Sequence, residues 1–313
     1  MDPFDAILEL GGEQLRAAMV GVETRLREIA AVEQHSLATV AAGGKRLRPL
    51  LVFVAGLGSD AHVALSRAAA AVELIHSATL VHDDVLDDAP LRRGRQTVFA
   101  AAGRTAATAT GDLLFSSAFA ELTRNGVLAQ LRALSGASAA LARGELMQRA
   151  DAWRADVTLE RYLQRCELKT ARLFAAACEL GALASGGPPL GPFGRAVGLA
   201  FQLLDDVLDI TGPAERTGKR RGTDLLDGTV TLPLILARES SPELAALDLR
   251  TIKGAADADR ICTVIEATGA GERARQRALD LVAAAKRELP RECPPRQRQA
   301  LELMADVLVE RFA

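Results

Sequence analysis

Aromatic residues are scarce in this chain: one Trp, one Tyr and nine Phe make up 4% of 313 residues. Strands are built largely from aromatic and β-branched side chains, so this shortage argues against a β-sandwich. Cysteine is as sparse. Cys166, Cys178, Cys262 and Cys293 show no C-x-x-C spacing, so they read as reduced structural thiols of a cytoplasmic protein. Neither sign of charge dominates. A formal net charge of −2 offers no bulk electrostatic case for nucleic acid, and no nucleic-acid partner is expected. No uninterrupted apolar run reaches the length of a membrane span, so no transmembrane segment is expected either. The acidic start MDPFDAILEL lacks the basic n-region of a signal peptide, which again points to the cytoplasm.

Ala and Leu dominate, and 49% of the residues are hydrophobic, ample for a large core. Leu15, Met19, Val22, Leu26 and Ile29 recur at three- and four-residue steps, the spacing of an amphipathic helix. Further helices are expected from near Arg48-Pro49, from about His62 through residue 87, and from Gly111. Helical patterns also cover Leu141 to Ala150, Tyr162 to Phe174, the stretch before Asp205, and TLPLILA with Pro233 in its first turn. Ala274, Ala278, Leu281 and Ala285, then Leu301, Met304, Leu308 and Phe312, predict two terminal helices. Ser185-Gly186-Gly187-Pro188-Pro189 is a break. PLRRGRQT and TGPAERTGKRRGTDLLDG read as basic loops. No strand with sustained alternation and no fixed-period repeat stands out. The expectation is an all-α chain forming one domain over 1–313.

Two acidic stretches carry the chemistry. LVHDDVLDDAPLRRGR places Asp83, Asp84 and Asp87 in a D-D-x-x-D pattern, and FQLLDDVLD repeats it with Asp205, Asp206 and Asp209. Each follows an apolar helical run. Residues three and four apart share a helix face, so each stretch gathers like charges. Such carboxylates are tolerable when solvated or neutralised, and Mg²⁺ is a hard cation that takes oxygen ligands. A solvated acidic helix end explains one copy; it explains two copies poorly. GGKRLRP adds Lys45, Arg46 and Arg48 beside a helix start, where phosphate can be held by charge and by unpaired backbone N–H groups. His76 lies two turns before Asp84.

GGKRLRP, LVHDDVLDDAPLRRGR, GDLLFSSAF, KTARLF and GLAFQLLDDVLD occur together and in this order. In this set the chain resembles the trans-isoprenyl diphosphate synthases, the polyprenyl synthetase family, over nearly its whole length. The resemblance implies the isoprenoid synthase fold, with antiparallel helices around a central catalytic cavity, and a homodimer. It implies a Mg²⁺-dependent head-to-tail condensation of isopentenyl diphosphate with an allylic diphosphate. By the same resemblance Asp83 and Asp87, with Asp84 in support, and Asp205, with Asp206 and Asp209, hold Mg²⁺. Arg92, Lys169, Thr170, Gln202 and Lys219 match the allylic diphosphate positions. Lys45, Arg48, His76 and Arg93 match those for isopentenyl diphosphate. Departing pyrophosphate is the family's proton acceptor, so no side chain is assigned as general base. One departure stands out: Thr229 occupies the position where the family usually has Lys. Arg220 or Arg221 are the candidates to compensate, the alternative being that both are solvated.

Short-product members of the family place aromatic residues just before the first cluster. Here Ala78 and Thr79 are small, with Ile75 and Leu74 one turn deeper and Ala70 and Ala71 beyond. The resemblance therefore implies an open channel floor and C30–C50 products, with Phe115 or Phe119 as a distant stop. A short-chain synthase of C15 or C20 products is the alternative within the reaction class. A non-catalytic regulatory subunit of a heteromeric synthase, a terpene cyclase and a purely structural helical protein are the alternatives outside it. Intact clusters speak against the regulatory subunit, and an isopentenyl diphosphate site speaks against the cyclase.

Overall fold

Leu- and Ala-rich runs with few β-branched residues favour helix, and helices form nearly everything in the computed structural model, which describes residues 3–41, 44–92, 94–212 and 221–310. The chain divides into two compact units. One comprises Met1–Ser138, Ala176–Gly191 and Pro290–Met304; the other comprises Ala139–Ala175, Pro192–Leu289 and Ala305–Ala313.

The first unit is built from α1 (Pro3–Ala30), α2 (Gln34–Ala41), α3 (Leu47–Ala55), α4 (His62–Leu86) and α5 (Val98–Thr123). α4 is its centre and packs chiefly on α5, then on α3 and α1. Ala68, Ala69, Ala70 and Ala71 have no exposed surface. Their small side chains let neighbouring helices approach closely, which is the packing role of that Ala run. α4 is long and apolar enough to cross a membrane by length and composition. Most of that stretch is buried inside the protein, as in a core helix, so length and composition alone do not make it a membrane span. PLRRGRQT is not wholly irregular: β1 (Leu91–Arg92) pairs antiparallel with β2 (Arg95–Gln96), with Leu91 opposite Gln96. Thr97 then caps α5, its Oγ1 accepting from the Ala100 N–H at 3.1 Å.

Gly111 does not open a helix. It lies in the middle of α5, and a Cβ there would stand 2.2 Å from Nε2 of His82. The glycine serves a close helix–helix approach, which local sequence cannot distinguish from a helix start. The kink in α5 falls earlier, at Gly103 with φ +83°. α2 also went unread, being short and weakly periodic.

The second unit takes up most of α6 (Leu128–Asp151), then α7 (Leu159–Cys166), a π-helical turn (Glu167–Ala171), the start of α8 (Arg172–Ser185) and nearly all of α9 (Gly191–Thr211). After these come α10 (Thr223–Leu226), α11 (Leu232–Arg238), α12 (Pro242–Ala245), a 3-10 turn (Leu249–Thr251), α13 (Ala255–Ala267) and α14 (Ala270–Arg287). α15 (Pro295–Glu310) closes the described chain. Thr158 caps α7 through the Arg161 N–H. Pro233 sits in the first turn of α11, as its fixed φ favours. Gly198 on α9 lets the π turn approach, since a Cβ would lie 2.9 Å from the Ala171 Cα. α10 interrupts what reads as a long loop, and α12 and α13 lack the sustained periodicity that would mark them. Phe312 falls outside the described residues. The four cysteines are free and buried.

Candidate active site

In the first unit the D-D-x-x-D carboxylates occupy three environments. Asp83 is half-buried, Asp84 buried and Asp87 exposed just past the last turn of α4, its N–H donating to the Asp83 carbonyl at 2.9 Å. Arg92 Nε donates to Asp84 Oδ1 at 2.8 Å. Burial pushes the Asp84 carboxyl up; Arg92 opposes this, and the charge of Asp87 adds to it. Asp84 is thus held by Arg92, while Asp83 is half-buried and Asp87 exposed. Arg92, expected at the allylic diphosphate, is tied to Asp84 through one of its five donors.

Of the GGKRLRP cations, Lys45 is exposed and Arg48 half-buried. Arg46 points inward and is 7% exposed. It donates to Glu23, to Glu73 Oε1 at 2.7 Å and to the Val40 carbonyl at 2.7 Å, from a left-handed backbone at φ +48°. His76 and Thr79 are half-buried on the α4 face that leads to Asp83, and Thr79 Oγ1 donates to the His76 carbonyl. Ala78 and Ile75 have no exposed surface. Phe115 and Phe119 stack on α5 with ring centroids 5.6 Å apart. Arg93 lies outside the described residues, as do Lys219 and Arg220.

In the second unit Asp206, Gln202 and Thr170 form one hydrogen-bonded chain, with Lys169 and Asp209 held by other partners. Asp205 is exposed and Asp206 is 4% exposed. Both oxygens of Asp206 are engaged: Tyr162 OH donates to Oδ2 at 2.6 Å and Gln202 Nε2 to Oδ1 at 2.7 Å. Gln202 Oε1 accepts from the Thr170 hydroxyl at 2.6 Å. Burial, opposed by these two donors and reinforced by Asp205, pushes the Asp206 carboxyl up to about 7. Asp209 accepts from the Thr223 and Asp224 N–H groups at 3.1 Å each, capping α10. Asp224 is pushed well above its ordinary value by burial and by the charges of Asp209, Asp206, Asp205 and Asp227. Lys169, on the π turn, donates to Glu145 Oε2 at 2.6 Å and Gln148 Oε1 at 3.1 Å. Burial alone would raise the Glu145 carboxyl, but Lys169 and Arg149 hold it below the usual range. Gly144 makes this approach possible: a Cβ there would lie 2.6 Å from the Lys169 nitrogen.

Arg221 does not reach toward Thr229 and is not merely solvated. It is bound to Asp259, Glu266 and Thr263 on α13. The residues that sequence reasoning missed are Tyr162, Glu145 and Gln148. Tyr162 had one signal, being the only tyrosine in the chain. Glu145 and Gln148 had only their three-residue spacing.

The donor set suits a hard divalent cation. In each unit it consists of carboxylate oxygens, and burial first, then repulsion from neighbouring carboxylates, raises Asp84 in one and Asp206 and Asp224 in the other. Among the described residues, no three His, Cys, Asp or Glu side chains form a ready-made metal cage. Mg²⁺ is commonly held this way, by one or two carboxylates with substrate phosphates and water completing its shell.

The polyprenyl synthetase family model matches residues 29–268. Heptaprenyl diphosphate synthase component 2 of Geobacillus stearothermophilus is 43% identical over 68% of this chain and 69% of that protein. A short chain isoprenyl diphosphate synthase of Methanothermobacter thermautotrophicus is 36% identical over 99% and 98% of the two chains. A crystal structure of polyprenyl synthase from Caulobacter crescentus, complexed with calcium and isoprenyl diphosphate, superposes with a TM-score of 0.88 at 35% identity, covering 99% of this chain and 98% of that one. The helical architecture, the ordered motifs and these matches agree, and the chain belongs to the polyprenyl synthetase family of prenyltransferases.

Proposed function

We propose that this enzyme is a Mg²⁺-dependent trans-prenyltransferase that condenses isopentenyl diphosphate with an allylic diphosphate, head to tail, and extends the product to C30–C50. Asp83, Asp87 and Asp205 are the carboxylates that would hold Mg²⁺. Asp84, Asp206 and Asp209 would back them; Asp84 accepts from Arg92, Asp206 from Tyr162 and Gln202, and Asp209 from α10 N–H groups. Bound Mg²⁺ supplies charge neutralisation for the pyrophosphate that departs.

Lys169, Thr170, Gln202, Arg92 and Lys219 would bind the allylic diphosphate and orient its C–O bond for cleavage. Preorganised cations and donors aimed at oxygens that gain charge lower the barrier to that step. Lys45, Arg48, His76 and Arg93 would hold isopentenyl diphosphate so that its double bond meets the allylic carbon. The new C–C bond forms, one proton is lost to the departing pyrophosphate, and a trans double bond remains. The single observation that carries this reading is the chain from Thr170 through Gln202 to Asp206, with Lys169 next to Thr170 on the same π turn. It gathers cationic, hydroxyl and amide donors beside carboxylates that burial and like charge leave in want of a cation.

Chain length rests on the small side chains at Ala78 and Thr79. A C15 or C20 product is the second reading, favoured by the complete burial of Ala78, which leaves it no free surface. Exposed Leu128 and Leu146 on α6 support a homodimer, and the free cysteines suit a cytoplasmic enzyme. Incubation with Mg²⁺, farnesyl diphosphate and labelled isopentenyl diphosphate, followed by reverse-phase chromatography, tests the proposal. Labelled C30–C50 product is expected. Products that stop at C20 would overturn the chain length, and no Mg²⁺-dependent incorporation would overturn the reaction.

A further inference from the structure

Tyr162 has no exposed surface, and nothing in the reaction calls for a phenol. Its hydroxyl nevertheless donates to Asp206 Oδ2 at 2.6 Å, the first link of a chain that continues through Gln202 to Thr170. The direction of this chain follows from the amide orientation. Gln202 turns its NH₂ group to Asp206 and its carbonyl to Thr170. The carbonyl only accepts, so the Thr170 hydroxyl donates. A flipped Gln202 would set oxygen against oxygen at 2.7 Å. In the observed orientation one amide N–H of Gln202 remains for a ligand oxygen, and the Thr170 hydroxyl is held at a defined angle.

We propose that Tyr162 is a positioning residue for the allylic diphosphate site: by anchoring Asp206 it fixes the orientation of Gln202 and, through it, of Thr170. The inference rests on the reading of Thr170 and Gln202 as diphosphate contacts. It also makes Asp206 an anchor, with Asp205 beside it as the exposed carboxylate. A merely space-filling tyrosine would serve through its ring, which stacks under the Arg165 guanidinium at 5.4 Å. Phenylalanine keeps that ring and deletes only the donor.

The test compares wild type with Tyr162→Phe in Mg²⁺-containing buffer. Binding of farnesyl thiolodiphosphate, an allylic analogue slow to ionise, is measured by calorimetry, and KM is measured for both substrates. Loss of one buried link should weaken analogue binding and raise the allylic KM by about five- to tenfold. The KM for isopentenyl diphosphate should stay unchanged. In a Gln202→Ala background, Tyr162→Phe should cost nothing more, because the relay is already cut. Unchanged analogue binding, a parallel rise in both KM values, or additive effects in the double variant would each overturn the positioning role. A second readout does not depend on that variant folding. Tyr162 is the sole tyrosine, so biosynthetic 3-fluorotyrosine labels this position alone. Its ¹⁹F resonance should shift on adding the analogue and stay in place on adding isopentenyl diphosphate; a silent resonance would overturn the proposal. A wild type that neither binds the analogue nor turns over would instead bring down the functional reading beneath it.

Discussion

Arg46 and its neighbours separate charge used inside the protein from charge offered to a ligand. Arg46 lies buried among Glu23, Glu73 and the Val40 carbonyl, whereas Lys45 is exposed. Removing one partner of a buried ion pair strands the other, at about 3–5 kcal/mol. Arg46→Ala should therefore lower the melting temperature strongly. Lys45→Ala should leave it in place and raise the KM for isopentenyl diphosphate about ten- to hundredfold, the worth of a charge-assisted contact. Differential scanning fluorimetry with steady-state kinetics separates the two. Glu73 gives a pH signature. Burial raises its carboxyl beyond what Arg46 and Arg48 offset, and Glu23 adds repulsion. A raised folded-state value means that the unfolded chain releases the proton first. Stability from this group is therefore full below its ordinary value of 4.5 and falls as pH rises through the raised one. The melting temperature of wild type minus that of Glu73→Gln should fall as pH rises from about 4.5; a flat difference would remove Glu73 as the cause. Asp205 obeys a different balance. It is exposed and crowds Asp206, so Asp205→Ala should not lower the melting temperature of the metal-free protein, yet should cut turnover by about a hundredfold or more. Near-normal turnover at saturating Mg²⁺ would take Asp205 out of the metal site.

At the scale of elements, α4 is the core helix of its unit and, on the function proposed above, also a ruler. Its half-buried face runs from Asp83 through Thr79 to His76 and ends where Glu73 and Val72 are buried. Successive turns of that face are about 5.4 Å apart, the spacing by which a growing tail could be measured. Ala78 faces fully packed surroundings. If Ala78 lines the channel as proposed, Ala78→Phe should shorten the product toward C15–C20, and because Ala78 is fully packed it should also cost about 1–3 kcal/mol of stability through overpacking. Thr79→Phe should shorten the product with a smaller loss. Reverse-phase product analysis beside thermal melts decides this, and full-length product from both variants would move the ruler elsewhere. The π turn is the other element the proposed function draws on. It carries Lys169 and Thr170 and admits α6 at Gly144, where a Cβ would crowd the Lys169 backbone.

At the scale of the molecule, the two compact units are each assembled from three separate stretches of chain. Each holds one D-D-x-x-D cluster with its own supporting partners. Light scattering on the purified protein is expected to give the mass of two chains, and a clean monomer with full activity would count against the homodimer.

Two kinds of information have different origins here. The paired aspartate clusters stand out in the sequence because three- and four-residue spacing puts like charges on one helix face, and GGKRLRP because its cations gather beside a helix start; Lys169 and Thr170 were reached only through the family resemblance. The long helices were legible because burial of one face imposes a period on the residues themselves. The identity of the charges held inside the fold was not legible. Arg46 meets Glu23 and Glu73, Arg221 meets Asp259 and Glu266, and Tyr162 meets Asp206 across gaps of tens of residues. Gly111 likewise passes for a helix start until His82 is seen against it. Burial, the direction of a hydrogen bond and the charge state it supports depend on neighbours brought in by packing, and no local pattern encodes those neighbours. The sequence alone therefore determined the chemistry available, and the tertiary structure decided which residues present it and which hold them in place.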